Sequence, residues 1–404
     1  MRIGIGLNLF TAEAGGVSNY VATLLRHWPR LGQGHEMVLF SFAHNEPLLR
    51  LLPPESRRHE LRLQTQEGVF EHLDRIDVYF CPFGSLWPRP MPLPTVLTFH
   101  DMQERFFPEF FTPAQHVERF FHYDWSLRMA DAVIAVSEFT KRSCVEITGI
   151  DARKLVRVHH APDELPAPQP PAPGAVPAGP FVFYPANFWA HKNHRRLLQA
   201  LALLRDRGLA VPCVFTGSLL GRPAEWEAMV AETGLGGQVT HLGHCPRPAL
   251  SWLFRHARAL VFPSLFEGFG IPVIEAMQCG CPVACSGTTA LPEIATGRAL
   301  FFDPNDPASI AAAVARIWQD TALRHALAAA GRIHAANFSP EALVRGHLGA
   351  FQLARRRYRP LLHWYRRTVL EPRSRRPRTG LRPQEAAAAR RLLQATVSTK
   401  GEGP

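Results

Sequence analysis

"PDELPAPQPPAPGAVPAGP", residues 162–180, places eight prolines in nineteen positions. Proline fixes φ and has no N–H to donate, so this stretch can be neither a helix interior nor a central strand. It reads as a semi-rigid linker, and the pattern on either side decides the fold. Before it come "RIGIGL" (2–7), "MVLFSF" (37–42), "VYFCP" (78–82), "TVLTFH" (95–100), "AVIAVS" (132–137) and "LVRVHH" (155–160), with helical periodicity at 17–28 and 114–130. After it the alternation restarts with "FVFYP", "PCVFTG", "VTHLG", "ALVFPS", "PVACS" and "ALFFDP". Helical patterns at 193–207, 223–232, 247–257, 271–279 and 306–318 fall between or after them. Short continuous apolar runs are strands buried on both faces, as in a parallel sheet covered by helices. The expected fold is α/β, with two Rossmann-like parallel-sheet domains. Their expected bounds are 1–165 and 181–350, joined by a Pro-rich linker at 166–180 and followed by a tail at 351–404. Residues 320–350 read as helical, and 385–394 as one further short helix.

Bulk composition agrees. A chain of 404 residues with 46% hydrophobic and 20% charged residues is globular and too long for one ordinary core. No apolar run is long enough to span a bilayer. Met1 leads straight into a strand pattern without a leader signature, so the expected location is cytoplasmic. Seven cysteines without a CxxC pair suggest free thiols, although Cys279, Cys281 and Cys285 cluster. The net charge of +11 sits in one place: residues 351–404 hold fourteen Lys and Arg against three acids, and the first 350 residues hold 31 of each. A nucleic-acid binder carries its basic patch on the folded domain, so no nucleic-acid partner is expected. The tail reads either as a solvated segment or as an attachment to an anionic membrane surface, with Leu361, Leu362, Trp364 and Tyr365 at the interface.

"LFEGFGIPVIEA", residues 265–276, carries the chemistry. It follows the strand pattern "ALVFPS", so Glu267 lies on the loop at a strand's C-terminal end. Gly268 and Gly270 permit close backbone approach. Pro272 suits a first helical turn, which puts Glu275 near the helix entrance, where the dipole favours a carboxylate. One reading is an αβ connection with two solvated acids. In the other, each carboxylate accepts hydrogen bonds from a vicinal diol, so that the pair grips two sugars.

The wider stretch "PSLFEGFGIPVIEAMQCGCPVACSGTTALPEI" resembles the donor-binding signature of glycosyltransferase family 4, retaining enzymes of the GT-B fold. Two glutamates separated by seven residues are its hallmark, and the resemblance runs through most of residues 1–350. It implies that Glu275 holds the ribose and Glu267 the donor sugar of a nucleotide-sugar substrate. In "YPANFWAHKNHRRLL" (184–198) it implies that Lys192 neutralises the leaving diphosphate. Asn187 stands where the family usually has an arginine. The Gly15–Gly16 turn of "AEAGGVSNYVATLL" is implied to face the diphosphate and sugar, and Gly217 of "TGS" the nucleotide. Thr288, Thr289, Ala290 and Leu291 of "SGTTALPEI" are implied to supply backbone N–H groups, with Gly270 part of the donor loop. His100 of "TFHD" is implied to contact the sugar.

No Asp-x-Asp motif is present, so no metal is expected. No cofactor is expected either, the nucleotide-sugar being a substrate. No GxGxxG fingerprint follows a strand, against a dinucleotide oxidoreductase. The expected activity is a retaining, metal-independent transfer of a hexose, GDP-mannose being the first choice of donor. The expected acceptor is a saccharide or lipid-linked saccharide in cell-surface polysaccharide synthesis. A sugar-nucleotide epimerase of the same fold and a non-catalytic nucleotide-sugar binder are the alternatives.

Overall fold

The computed structural model describes residues 1–11, 15–361 and 383–398. It contains two compact units: one is built on Met1–Asp163 and takes in the helix Pro340–Arg357, and the other is built on Glu164–Asn337.

The first unit has seven strands: β1 (Arg2–Gly6), β2 (Glu36–Ser41), β3 (Glu60–Arg62), β4 (Val78–Cys81), β5 (Thr95–Phe99), β6 (Ala132–Ala135) and β7 (Leu155–Arg157). They lie in the order β3-β2-β1-β4-β5-β6-β7, every pair parallel, with Ile3 opposite Met37 on one side and Val78 on the other. Each apolar run of this half coincides with one of these strands to within a few residues. β3 is the addition. Its sequence Glu-Leu-Arg has no apolar run, because an edge strand paired only with β2 needs none.

The helix Gly16–Leu31 buries Tyr20, Val21, Leu24, Leu25 and Trp28, which recur at helical spacing on one face. The helix Pro340–Arg357 packs against it, placing His347 beside Tyr20 and Phe351 edge-on to Trp28 at 5.9 Å. Ser339 caps that helix by accepting a hydrogen bond from the Ala342 N–H, and Pro340 opens it. A domain boundary at residue 350 would therefore cut a helix whose Phe351 and Ala354 belong to the core of the first unit. The periodicity at 114–130 resolves into Pro113–Arg119, a π-helical turn at Phe120–Asp124 and Trp125–Met129.

The second unit has six strands: β8 (Val182–Pro185), β9 (Cys213–Thr216), β10 (Val239–His241), β11 (Ala259–Phe262), β12 (Val283–Ser286) and β13 (Leu300–Phe302). Their order is β10-β9-β8-β11-β12-β13, again all parallel. Phe183, Phe215, Phe254 and Phe262 fill its core. Truncating one of these to alanine costs on the order of 3–5 kcal/mol. Both sheets reverse their winding once, between β1 and β4 and between β8 and β11. Loops leaving the C-terminal ends of the strands at such a reversal part to opposite faces and leave a crevice for a ligand.

Residues 162–180 contain neither helix nor strand. A C-terminal helix, Pro383–Ser398, is longer than the sequence pattern suggests, and Glu385 at its start lies 3.5 Å from the Arg105 guanidinium. Leu361 is exposed, whereas Leu362, Trp364 and Tyr365 lie outside the described residues. Among the described residues no helix is long and apolar enough to cross a membrane. All seven cysteines are free thiols, with Cys279, Cys281 and Cys285 buried.

Candidate active site

The reversal of the second sheet puts the loop after β8 beside the loop after β11. Asn193 ties them together. Held at φ +62°, it donates from Nδ2 to the Pro263 carbonyl (3.0 Å) and the Pro304 carbonyl (2.8 Å). The Leu265 N–H donates to the His191 carbonyl at 2.8 Å, adding a second tie. Between these anchors Lys192 Nζ donates to Glu267 Oε1 at 2.6 Å, with the side chains only 18% and 12% exposed. The ammonium also lies 5.6 Å from the centre of the Phe262 ring. Lys192 and Glu267, 75 residues apart, thus form one largely desolvated pair at the C-terminal end of the central strands.

Thr288–Leu291, the turn after β12, holds this pair from the other side. Thr289 Oγ1 accepts from the Glu267 N–H at 3.1 Å, and the Ala290 N–H donates to the Glu267 carbonyl at 3.4 Å. The Leu291 N–H turns inward to the Thr288 carbonyl, and Thr288 Oγ1 donates to the Leu265 carbonyl. The Ala290 and Leu291 amides are therefore engaged within the protein. Thr289 sits at φ +56°. A β-branched residue there costs roughly 1–2 kcal/mol, strain of the kind that collects at ligand sites.

Glu275 occupies the fifth position of the helix Ile271–Gln278, whose first turn contains no acid. The dipole argument made from the sequence does not apply to it, because the helix starts at Ile271 and Glu275 falls in its second turn. Its carboxylate is buried, and burial pushes its pKa up against the opposing charge of Arg247. Arg247 Nη1 donates to Glu275 Oε1 at 3.4 Å from the start of the helix Arg247–His256. Gly270, at φ +105°, precedes the Glu275 helix, and a Cβ there would come within 2.6 Å of Leu291 Cδ2.

Gly217 is confined more tightly still. It has φ +126°, and a Cβ would lie 2.3 Å from the Ala186 carbonyl oxygen. The loops after β8 and β9 meet there backbone to backbone. Asn187 Oδ1 accepts from the Ser218 N–H at 2.9 Å, so the residue standing where an arginine was implied ties the two loops together.

Gly15, Gly16 and His100 belong to the first unit. Gly15 adopts φ +53° with open space at its Cβ position, and Gly16 begins the first helix. His100 follows β5. Its Nε2 bonds the Pro82 carbonyl (2.7 Å), and its ring stacks on His160 at 5.6 Å. Burial lowers the His100 pKa, keeping the ring neutral near pH 7, with the Pro82 carbonyl and Asp101 acting the other way. Tyr20 completes the cluster, its hydroxyl bonding His347 Nε2 (2.6 Å) and Thr98 Oγ1 (2.8 Å).

The structure therefore gathers Lys192, Glu267 and Thr288–Leu291 around one ion pair, and it places Glu275 with a partner the sequence reading missed. The available signal for Arg247 was a cation in the first turn of a helix, where the dipole disfavours it. For His347 it was a histidine on the apolar face of an amphipathic helix.

The sequence and the fold both match known proteins. The profile described as glycosyl transferases group 1 matches residues 169–334, and that of glycosyltransferase family 4 matches residues 14–165. O-antigen chain mannosyltransferase B of Escherichia coli is 30% identical over 331 residues, covering 78% of this chain and 83% of that protein. The O-antigen chain mannosyltransferase RfbU of Salmonella typhimurium is 29% identical over 224 residues, covering 55% of this chain and 60% of that protein. Among solved structures, Anabaena Alr3699/HepE in complex with UDP and glucose superposes with a TM-score of 0.66 at 17% identity, covering 87% and 99% of the two chains. The sucrose-phosphate synthase of Thermosynechococcus elongatus reaches 0.67 at 22% identity, covering 88% and 98%. Two parallel Rossmann-like sheets, the paired glutamates and these matches make the chain a GT-B glycosyltransferase of family 4, group 1.

Proposed function

We propose that this protein is a retaining hexosyltransferase that uses a nucleotide-sugar, GDP-mannose first among donors, and builds a cell-surface polysaccharide. The observation that carries the reading is the Lys192–Glu267 pair at the strand-order reversal of the second sheet. A fixed ammonium in a poorly solvated site stabilises the charge that grows on a departing diphosphate, and a carboxylate beside it accepts hydrogen bonds from the hydroxyls of the transferred sugar. Glu275 is assigned to the ribose. Gly15, Gly16 and His100 of the first unit are assigned to the sugar and acceptor side. Mannose is favoured because the O-antigen relatives are named as mannosyltransferases.

In the proposed reaction the acceptor oxygen bonds to the anomeric carbon on the face that the diphosphate leaves. The carbon–oxygen bond to phosphate breaks with its electron pair going to the phosphate oxygen, which receives the acceptor proton. No side chain is assigned as a covalent nucleophile. The sequence lacks the paired aspartates that commonly bridge a metal to a diphosphate, so turnover is proposed to be metal-independent.

The test is nucleoside diphosphate release from GDP-mannose, UDP-glucose and ADP-glucose with a saccharide acceptor, in the presence and absence of EDTA, with the product anomer read by NMR. Release from GDP-mannose, unaffected by EDTA and giving an α-linked product, is expected. Binding without release from any donor would reject the enzyme reading, and an inverted anomer would reject retention. A peripheral location at the inner membrane face is also proposed, from the fourteen basic residues after position 350. Co-sedimentation of the full chain and of a 1–361 truncation with anionic vesicles checks it, equal binding by both counting against the tail.

A further inference from the structure

Arg247 lies in none of the motifs read from the sequence, and its placement is unfavourable on local grounds. It opens the helix Arg247–His256, where the positive end of the helix dipole repels a cation. Its guanidinium nonetheless reaches Glu275, 28 residues away, at 3.4 Å. Glu275 is 8% exposed, and Arg247 is its hydrogen-bond partner among the described residues. A carboxylate can accept about four hydrogen bonds, so one long bond leaves it well short of what it gave up on leaving water. Such a group readily takes a proton unless a nearby positive charge holds it ionised. A protonated carboxyl is a poor partner for a diol, because one of its oxygens has become a donor.

Among the described residues, Arg247 is the one positive charge acting on Glu275. Arg332, from the helix Thr321–Ala335, packs its guanidinium at Gly280, and Arg255 acts on Cys279. Cys279, the next titratable group along the chain, is itself pushed up by burial, an effect that the negative charge of Glu275 reinforces. Arg247 has a 38% exposed side chain, so it sits at the rim while its partner is inside.

We infer that Arg247 is a positioning residue that keeps Glu275 ionised and aimed for the ribose hydroxyls, so that donor affinity, and not the chemical step, depends on it. The inference rests on the proposed role of Glu275 as the ribose acceptor, and the test separates the two.

Full-length wild type, R247M, R247K and E275Q are titrated calorimetrically from pH 5.5 to 8.5 with GDP, UDP and ADP. Each is paired with its 2′-deoxy counterpart, and donor KM and kcat are measured in parallel. Wild type should lose about tenfold or more in affinity for the 2′-deoxy ligand, the loss expected when a charged hydrogen bond is removed. R247M should raise donor KM about tenfold at neutral pH and more as pH falls, leave kcat within about threefold, and shrink the 2′-deoxy discrimination. R247K should recover most of the affinity, because a cation is restored without the forked geometry. If E275Q binds all nucleotides as wild type does, the ribose role of Glu275 fails and the inference with it. If E275Q weakens binding while R247M behaves as wild type across the pH range, Arg247 alone is excluded. A uniform loss of kcat in R247M at unchanged KM, or a loss that R247K does not relieve, also overturns the inference.

Discussion

Replacing Lys192 with methionine tests the site most directly, because it removes the charge and keeps most of the volume. At 2.6 Å, and with an effective dielectric constant near 20, the Lys192–Glu267 attraction is about 6 kcal/mol before desolvation is counted. Both side chains are largely out of water, so much of that is offset by their lost hydration. Removing one partner strands the other, and K192M or E267Q alone should each destabilise the second unit by about 3 kcal/mol. The double variant, with no stranded charge, should be less damaged than the two single losses added together.

Turnover should behave in the opposite way. Loss of a preorganised positive group facing the leaving diphosphate costs about 10²–10³ in kcat, and removing Glu267 as well cannot return that charge. The assay is a double-mutant cycle with two readouts: denaturant midpoints followed by tryptophan fluorescence, and nucleoside diphosphate release under saturating donor. Stability should be partly restored in K192M/E267Q while kcat stays at or below that of K192M. If the double variant regains kcat along with stability, the pair is a structural clamp and the catalytic argument falls. A K192M enzyme within threefold of wild type would refute it more simply.

The remaining predictions concern groups around that pair and in the first unit. Gly217→Ala meets backbone atoms at 2.3 and 2.5 Å, whereas Gly208→Ala, also at positive φ, meets nothing within 4 Å. The first should cost about 3 kcal/mol or more and the second about 1 kcal/mol, and equal melting temperatures would show that the β8 and β9 loops can part freely. Burial raises the Glu275 pKa above its unfolded value against the opposing charge of Arg247, so the native state takes up the proton more readily than the unfolded chain does, and holding the carboxylate ionised at neutral pH costs stability. E275Q should therefore melt above wild type without ligand, and lower melting would contradict the reading of a carboxylate held at a cost. His347 is buried with its pKa lowered to about 4. Between about pH 6.5 and 4 the unfolded chain binds this proton and the native chain does not, so acidification should remove about 3 kcal/mol through this group alone. H347Q should flatten the fall of melting temperature with decreasing pH, and identical slopes would exclude His347 as a source.

The alternation of elements was legible because strands covered on both faces are written as unbroken apolar runs, and "AVIA" or "VYFC" can hardly be anything else. β3 escaped because Glu60–Arg62 has a single neighbour and no buried face to encode. The π-helical turn at Phe120–Asp124 was hidden because helical periodicity continues through it. Glu267 could be picked out as a charged residue on a loop that follows a strand, and Lys192 through the family resemblance. Their pairing depends on β8 lying next to β11, a property of the strand order and not of local sequence. The same holds for Arg247 with Glu275 and for Tyr20 with His347, which lie 327 residues apart.

What separates a binding group from a structural one here is how completely the protein satisfies it. Lys154 is as buried as Glu275, but its ammonium donates to the Arg128 carbonyl at 3.0 Å and the Ala130 carbonyl at 3.1 Å. Asp131 is likewise buried and accepts from both the N–H and the hydroxyl of Thr95. These charges are matched within the fold and end as fasteners. Glu275 has one bond of 3.4 Å, and Thr289, whose hydroxyl accepts from the Glu267 N–H, is held in a conformation that threonine resists. A folded chain gains no stability from either feature. A ligand that brings hydroxyl donors to the carboxylate would offset the first cost, and one that presses on the turn would offset the second. Two such uncompensated costs in the unit that also holds the Lys192–Glu267 pair are what the proposed donor site requires before its substrate arrives.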